Sequence, residues 1–399
     1  MTRISTGMRY QQSLTSMQSR QASLAKLQQQ LATAMKLNTG KDDPVGAGTA
    51  VGLDRAVAEL ERFGKNSDVV RHRLSMQESV LSQAGDILGR INVLTIQAST
   101  GTMSDSDRKT IATEIRSLRD GLLDLSNTAD GMGRFLFGGA QDGDPPFAPS
   151  GAGVAYGGDQ TQRQVEIAPQ MFASDAKPGS EIFLRVRTGN GRLDAAATVA
   201  NNGTGQIGGF MLTDAAAWNA GRYQVEFGAG GDYTVRDAGG GAVGTGTYKA
   251  GEAIAFAGLQ LTITGSPAAG DTFQIGPSET RDVFATLDGL LQTLTSTPTT
   301  TAERAAQQNA LSSALRDITM AENHFIDTRA SGGAQLAALD QAEELRGALD
   351  VTLQTTLSGI RDLDYVDAIG RFNLEKIALE AAQLSFTQMQ RLSLFDLMR

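Results

Sequence analysis

LTSMQSRQASLAKLQQQLATAM, residues 14–35, places Leu14, Met17, Gln21, Leu24, Gln28, Leu31 and Met35 at alternating spacings of three and four. That is the seam of a coiled coil with two polar insertions. At about 1.5 Å per residue, a helix of this kind over the first 35 or so residues is roughly 50 Å long. The far end of the chain repeats the pattern: Leu374, Ile377, Ala381, Leu384, Gln388, Leu392 and Phe395 follow spacings of three and four. The charges of the two ends are opposite. The first 41 residues hold six Lys/Arg and no Asp or Glu; from Asp340 on there are ten Asp/Glu against six Lys/Arg. Two distant amphipathic ends of opposite charge suit pairing with each other, or with the ends of neighbouring copies.

Between them the character changes twice. Up to about residue 137 the chain is helical. Thr39-Gly40-Lys41-Asp42-Asp43-Pro44 separates two helices, with Gly40 as terminator, Asp43 as cap and Pro44 in the first turn of the next. Leu74, Gln77, Leu81, Ala84, Leu88, Ile91, Thr95 and Ala98 keep a strict heptad register. Ser104 or Asp105 suits a cap for a further helix with Ile111, Ile115, Leu118, Leu122, Leu125 and Ala129 on one face. Residues 138–280 hold 28 of the 46 glycines and seven of the nine prolines. Alternating sets such as Tyr223, Val225, Phe227 and Leu259, Leu261, Ile263 predict short strands joined by Gly-rich turns. From about 281 the helical pattern resumes, with Leu311, Leu315, Ile318 and Phe325 on one face and Gly332-Gly333 either a break or a close contact.

The expected fold is therefore α+β: a long helical coiled-coil bundle from both chain ends, with an inserted antiparallel β domain. The expected parts are an N-terminal assembly helix (1–43), a first half-bundle (44–137), the β insertion (138–280), a second half-bundle (281–364) and a C-terminal assembly helix (365–399). The expected assembly interface is Leu14, Met17, Leu24, Leu31, Leu374, Ile377, Ala381, Leu384, Leu392 and Phe395.

Composition argues against chemistry. With 399 residues the chain can bury a sizeable core. It has no cysteine, which removes disulfides, thiolate metal sites and cysteine nucleophiles. The net charge of −9 disfavours nucleic acid as a partner. No apolar run reaches the 18 or so residues of a membrane helix, so no membrane insertion is expected, and no cleaved signal peptide is visible. The two histidines, His72 and His324, lack the neighbours of a zinc or triad motif. Gly40-Lys41 is no phosphate loop, because Asp42 stands where Ser or Thr is needed. Gly228-Ala229-Gly230-Gly231-Asp232 does not recur at a nine-residue period and reads as a turn. No enzyme activity, cofactor or metal is expected.

Several motifs nonetheless carry a family likeness. Arg3-Ile4-Ser5-Thr6, the Gly40-Lys41-Asp42-Asp43-Pro44-Val45 turn and Phe135-Leu136-Phe137-Gly138-Gly139 resemble the N-terminal half of flagellin-like proteins. Leu357-Ser358-Gly359-Ile360-Arg361-Asp362-Leu363-Asp364-Tyr365 and Ala378-Leu379-Glu380-Ala381-Ala382-Gln383 resemble the C-terminal half. Leu392-Ser393-Leu394-Phe395-Asp396 resembles the hook–filament junction group of that family more than flagellin itself. The likeness covers about 1–140 and 281–399. It implies a structural adaptor that joins the hook, through hook-associated protein 1, to the flagellin filament. It also implies neighbouring copies in a ring, a cytoplasmic export chaperone on the C-terminal region, and type III export to the extracellular flagellum with an uncleaved signal. The alternatives are a flagellin filament subunit and a secreted adhesin-like surface protein.

Overall fold

The computed structural model describes residues 6–151 and 153–397; towards the two ends, side chains are described for Met8 and for 10–388. The helices are α1 (Thr6–Thr33), α2 (Pro44–Ala98), α3 (Asp105–Ser126), α4 (Gly179–Phe183), α5 (Val283–Thr295), α6 (Thr301–Arg361) and α7 (Tyr365–Leu397). Four short strands precede α4: β1 (Phe147–Ser150), β2 (Gly153–Tyr156), β3 (Gln164–Ala168) and β4 (Met171–Ser174). Between α4 and α5 lie β5 (Val186–Arg187), β6 (Leu193–Ala197), β7 (Gln206–Leu212), β8 (Tyr223–Phe227) and β9 (Asp232–Asp237). They are followed by β10 (Ala242–Thr247), β11 (Ala253–Phe256), β12 (Leu259–Thr264), β13 (Thr272–Pro277) and β14 (Thr280–Arg281). The chain forms two compact units. One takes both chain ends, up to Lys65 and from Ala342; the other runs from Asn66 to Gln341.

In the central unit the heptad of α2 is the spine of the bundle. Leu74, Leu81, Ala84, Leu88, Ile91 and Ala98 are all buried, together with the polar seam members Gln77 and Thr95. Each polar group has a partner, as burial demands. Gln77 Oε1 accepts from Lys177 N at 2.7 Å, and Thr95 Oγ1 donates to Ile91 O at 2.7 Å. Ser104 caps α3 in a reciprocal box: Asp107 N donates to Ser104 Oγ, and Ser104 N donates to the Asp107 carboxylate. Of the expected α3 face, Ile111, Ile115 and Leu122 are buried, whereas Ala129 lies beyond the helix and is exposed. Gly332-Gly333 lies inside α6, and Gly332 faces the Gln77 side chain.

The Gly-rich segment was expected to be one insertion, yet its residues serve two cores. Up to Val186 it is part of the bundle: Phe147, Ile182, Phe183 and Val186 pack with Leu88, Phe284 and Phe325. Phe183 meets Phe137 and Phe325 edge-on, with ring centroids 5.4 and 5.5 Å apart. The physical reason is size, since the hairpins β1–β2 and β3–β4 are too short to bury a core of their own. From Leu193 the chain builds a separate sandwich. Its antiparallel sheets run β10-β9-β8-β13-β6 and β11-β12-β7. The alternating residues read from the sequence face inward: Tyr223, Val225, Phe227, Val235, Phe273 and Ile275 from one sheet, Leu259, Leu261 and Ile263 from the other. Each such side chain contributes about 1.5–3 kcal/mol by leaving water.

The Phe135-Leu136-Phe137-Gly138-Gly139 motif closes the bundle. Leu136 and Phe137 are buried, and Gly139 sits at φ +70°, where a Cβ would lie 2.1 Å from Asp159 Oδ1. Only glycine fits that position.

Candidate assembly surface

The terminal unit is built around α1 and α7, which pack antiparallel. Two contacts fix the register: Tyr10 meets Phe386 with ring centroids 5.0 Å apart, and Arg20 Nη1 donates to Glu375 Oε2 at 3.2 Å. On α1, Met17, Arg20, Leu24, Leu27 and Leu31 are half-buried. On α7 the matching face is Ala368, Phe372, Glu375, Leu379, Ala382 and Phe386, a clean alternation of fours and threes. The basic and acidic character of the two ends thus meets in one ion pair inside the seam, Arg20 with Glu375.

The expected interface residues divide. Met17, Leu24 and Leu31 lie in the α1–α7 seam, and Leu14 sits at its margin, 37% exposed. Gln21 and Gln28 are exposed, and Arg20 and Leu27 take the seam positions expected of them. Leu374, Ile377, Ala381 and Leu384 are not in this seam. They lie on the opposite side of α7, where Leu374 is 70%, Ile377 62% and Leu384 66% exposed. The side chains of Leu392 and Phe395 lie outside the described residues. At 100° per residue, Val366, Ile369, Leu374, Ile377, Ala381 and Leu384 share one side of the helix, and Phe372, Leu379 and Phe386 share the other. The α7 helix is therefore apolar on two opposite faces, one covered by α1 and one bare. The bare stripe from Val366 to Leu384 is roughly 27 Å long. Sequence reasoning missed the inner face because both faces keep three–four spacing. Its one available signal was Glu375, whose acid placed in an apolar stripe asks for a basic partner such as Arg20.

The helix ends are joined at one level. α1 stops at Thr33, earlier than the expected Gly40, with Ala34 at φ +61°. A left-handed alanine costs roughly 1–2 kcal/mol. Tertiary backbone bonds offset it: Lys36 N donates to Arg361 O at 2.8 Å, and Leu363 N donates to Ala34 O at 3.0 Å. Asp364 caps α7 by accepting from Val366 N and Asp367 N. Asp43 caps α2 by accepting from Val45 N at 3.1 Å and Gly46 N at 2.9 Å, with Pro44 first in the helix, as the sequence predicts. Asp42 accepts from Lys26 Nζ at 2.8 Å and from Thr39 N at 2.9 Å. The bond from Lys26, then that from Thr39 N, holds its carboxyl at about 2. Arg361 pairs with Asp54 at 2.5 Å. Such exposed pairs are each worth at most about 1 kcal/mol and serve mainly to set geometry.

Most of the large apolar side chains left exposed belong to this unit, Met8, Tyr10, Val45, Val51, Val351 and Val366 among them, although it holds under a third of the chain. Patches of this kind mark interaction surfaces. Each histidine lies against a backbone carbonyl. His72 Nε2 lies 3.4 Å from Asp130 O, and His324 Nε2 lies 2.9 Å from Glu181 O. Among the described residues no group of three His, Cys, Asp or Glu is placed to hold a metal, and no helix is long and apolar enough to cross a membrane.

Comparison with known proteins agrees with this architecture. Residues 4–142 match the bacterial flagellin N-terminal helical region, and residues 197–277 match the D2-like domain of flagellar hook-associated protein 1. Flagellar hook-associated protein 3 of Escherichia coli K12 is 26% identical over 99% of both chains. The crystal structure of FlgL from Xanthomonas campestris is 49% identical, covers 77% of this chain and 99% of its own, and superposes with a TM-score of 0.72. Hook-associated protein 3 of Legionella pneumophila is 28% identical, covers 77% of this chain and 98% of its own, and gives a TM-score of 0.74. A flagellin-type helical region over the first third of the chain, a hook-associated sandwich, a relative matched over nearly the whole chain and a solved structure 49% identical and covered over 99% of its length converge: the chain belongs to the flagellar hook-associated protein 3 (FlgL) family.

Proposed function

We propose that the chain is a structural adaptor of the bacterial flagellum, joining the hook, through hook-associated protein 1, to the flagellin filament by coiled-coil packing of its terminal helices. The observation that carries this reading is the second apolar face of α7, with Leu374, Ile377 and Leu384 in water. An apolar stripe of that length is costly in a lone subunit and pays back only when a neighbour covers it. Copies of the same chain arranged in a ring supply that cover. The helical region resembles flagellin and the sandwich resembles hook-associated protein 1, which supports a place between those two partners. Before assembly the same stripe suits a cytoplasmic export chaperone. Export to the cell exterior without a cleaved signal completes the reading, and no catalytic step is part of it.

Deleting the gene tests it. Normal hooks without filaments, with flagellin lost to the medium, are expected. Intact filaments would overturn the adaptor role and favour an adhesin. A strain carrying Ile377→Asp with Leu384→Asp separates the mechanism from the role: it should secrete folded protein yet build no filament.

A further inference from the structure

We infer that the β sandwich, Leu193–Pro277, is an arm that rocks over α6 about its two-strand connection, and that Asn309 props it in the open position. The first ground is the connection. Chain enters through Thr188–Arg192 and leaves through Ser278–Arg281; the two crossings are paired by Thr188 N to Glu279 O at 2.9 Å and Ser278 N to Arg192 O at 2.9 Å, and both are held on α6 at one point, Asp317, which accepts from Gly189 N and from Arg281 Nη1. Gly189 and Gly191 in the entry crossing have φ of +67° and +84°. The second ground is that the sandwich has its own core, with no buried apolar residue shared with the bundle cluster. What docks it on α6 is polar. Asn309 Oδ1 accepts from Ile207 N at 2.9 Å, and Asn309 Nδ2 donates to Gly205 O at 2.9 Å. One turn pair further along, Arg316 donates to Ala195 O at 3.3 Å and lies over the Phe210 ring. Nearest the connection, Asp317 accepts from Gly189 N at 2.8 Å.

The third ground is clearance. Between strand β6 and helices α5 and α6 lies a groove of about 290 Å³, floored by small residues such as Ala285, Gly289, Ala310 and Ser313. The small residues between strand and helices leave unfilled space into which the strand can move, with Arg281 and Leu290 among the larger side chains of the lining. Packing is incomplete here in a second way: Asp194 Oδ1 and Arg316 Nε are enclosed without a hydrogen-bond partner. Unmet polar atoms and unfilled space both lower the cost of leaving this position. The Asp317 end is fixed by the connection, so motion is greatest at the far end, where Asn309 makes two bonds and Val199 is 93% exposed. Removing the amide lets that end close.

The chain has no cysteine, so spin labels attach only where cysteines are introduced. Full-length protein carrying Val199→Cys and Ala285→Cys, both nitroxide-labelled, is measured by double electron–electron resonance with and without Asn309→Ala. Two separations are expected, with the shorter population rising at least two-fold in Asn309→Ala. Hydrogen exchange at Tyr223–Phe227 reports that the sandwich stays folded. A single narrow separation, unchanged by Asn309→Ala in a folded sandwich, overturns the rocking arm. Should Asn309→Ala unfold the sandwich, Asn309→Asp gives the same reading, since it keeps the acceptor and loses the donor to Gly205 O.

Discussion

Arg73, 4% exposed on α2, shows how a single side chain can hold a loop region to a helix. Its Nε donates to Asp175 at 2.9 Å, its Nη1 to Asp130 at 3.0 Å and its Nη2 to Leu136 O at 3.3 Å. Asp130 and Asp175 are themselves buried. Burial opposes the charge on Asp130, but N–H groups of Met132 and Arg134 and the Arg73 guanidinium hold its carboxyl below the ordinary range. Arg73→Met leaves two enclosed carboxylates without their cation, and should cost about 3–5 kcal/mol in urea unfolding of the bundle. Asp282 presents the opposite sign. It caps α5 by accepting from Phe284 N at 2.8 Å, and burial, helped by nearby Asp288, pushes its carboxyl up to about 6. A carboxyl raised in the fold binds its proton more tightly folded than unfolded. Its contribution is full below about pH 4 and is lost as pH rises through 6. Asp282→Asn keeps the cap acceptor without the charge. After allowance for solvent screening it should be more stable than the parent by about 1 kcal/mol at pH 7.5, with the gain vanishing near pH 4 in thermal melts across pH.

Among the elements, α2 and α7 mark the limits of reading a helix from its spacing. The α2 heptad from Leu74 to Ala98 was legible to the residue, because every member of the strict seven-residue stripe is buried, although Val80 and Leu94 are buried beside it and Val93 and Ile96 are exposed on the same helix. On α7 the spacing was equally regular and pointed to the bare side, because two apolar stripes a half-turn apart obey the same rule. The end of α1 was misplaced for a different reason: Ala34 takes a left-handed conformation fixed by a bond from Leu363, more than 300 residues away, which no local signal announces. The sandwich strands were legible from alternation, while the division of the Gly-rich segment between two cores was not, since strand pattern does not say which core a strand serves. The two faces of α7 should separate in experiment. Leu379→Ala should lower amide protection on α7 and, through the seam, on residues 14–31 of the free subunit. Ile377→Asp should leave that protection unchanged and abolish filament assembly. Equal loss of protection in both variants would contradict the two-face assignment.

For the whole molecule, two separate hydrophobic cores in the central unit predict two calorimetric transitions. Phe273→Ala should lower only the sandwich transition, at a cost of about 3–5 kcal/mol, and leave the bundle's where it is. A single transition that moves as one would show the cores to be coupled. The pairing of α1 with α7 carries a further consequence, one of timing. On the ribosome α1 emerges long before α7, the helix that covers its apolar face, which begins at Tyr365. At about 5–20 residues per second, roughly 15–65 s pass before that partner exists. For that interval the apolar face of α1 has no helix of its own chain to close against and stays open to whatever binds it first.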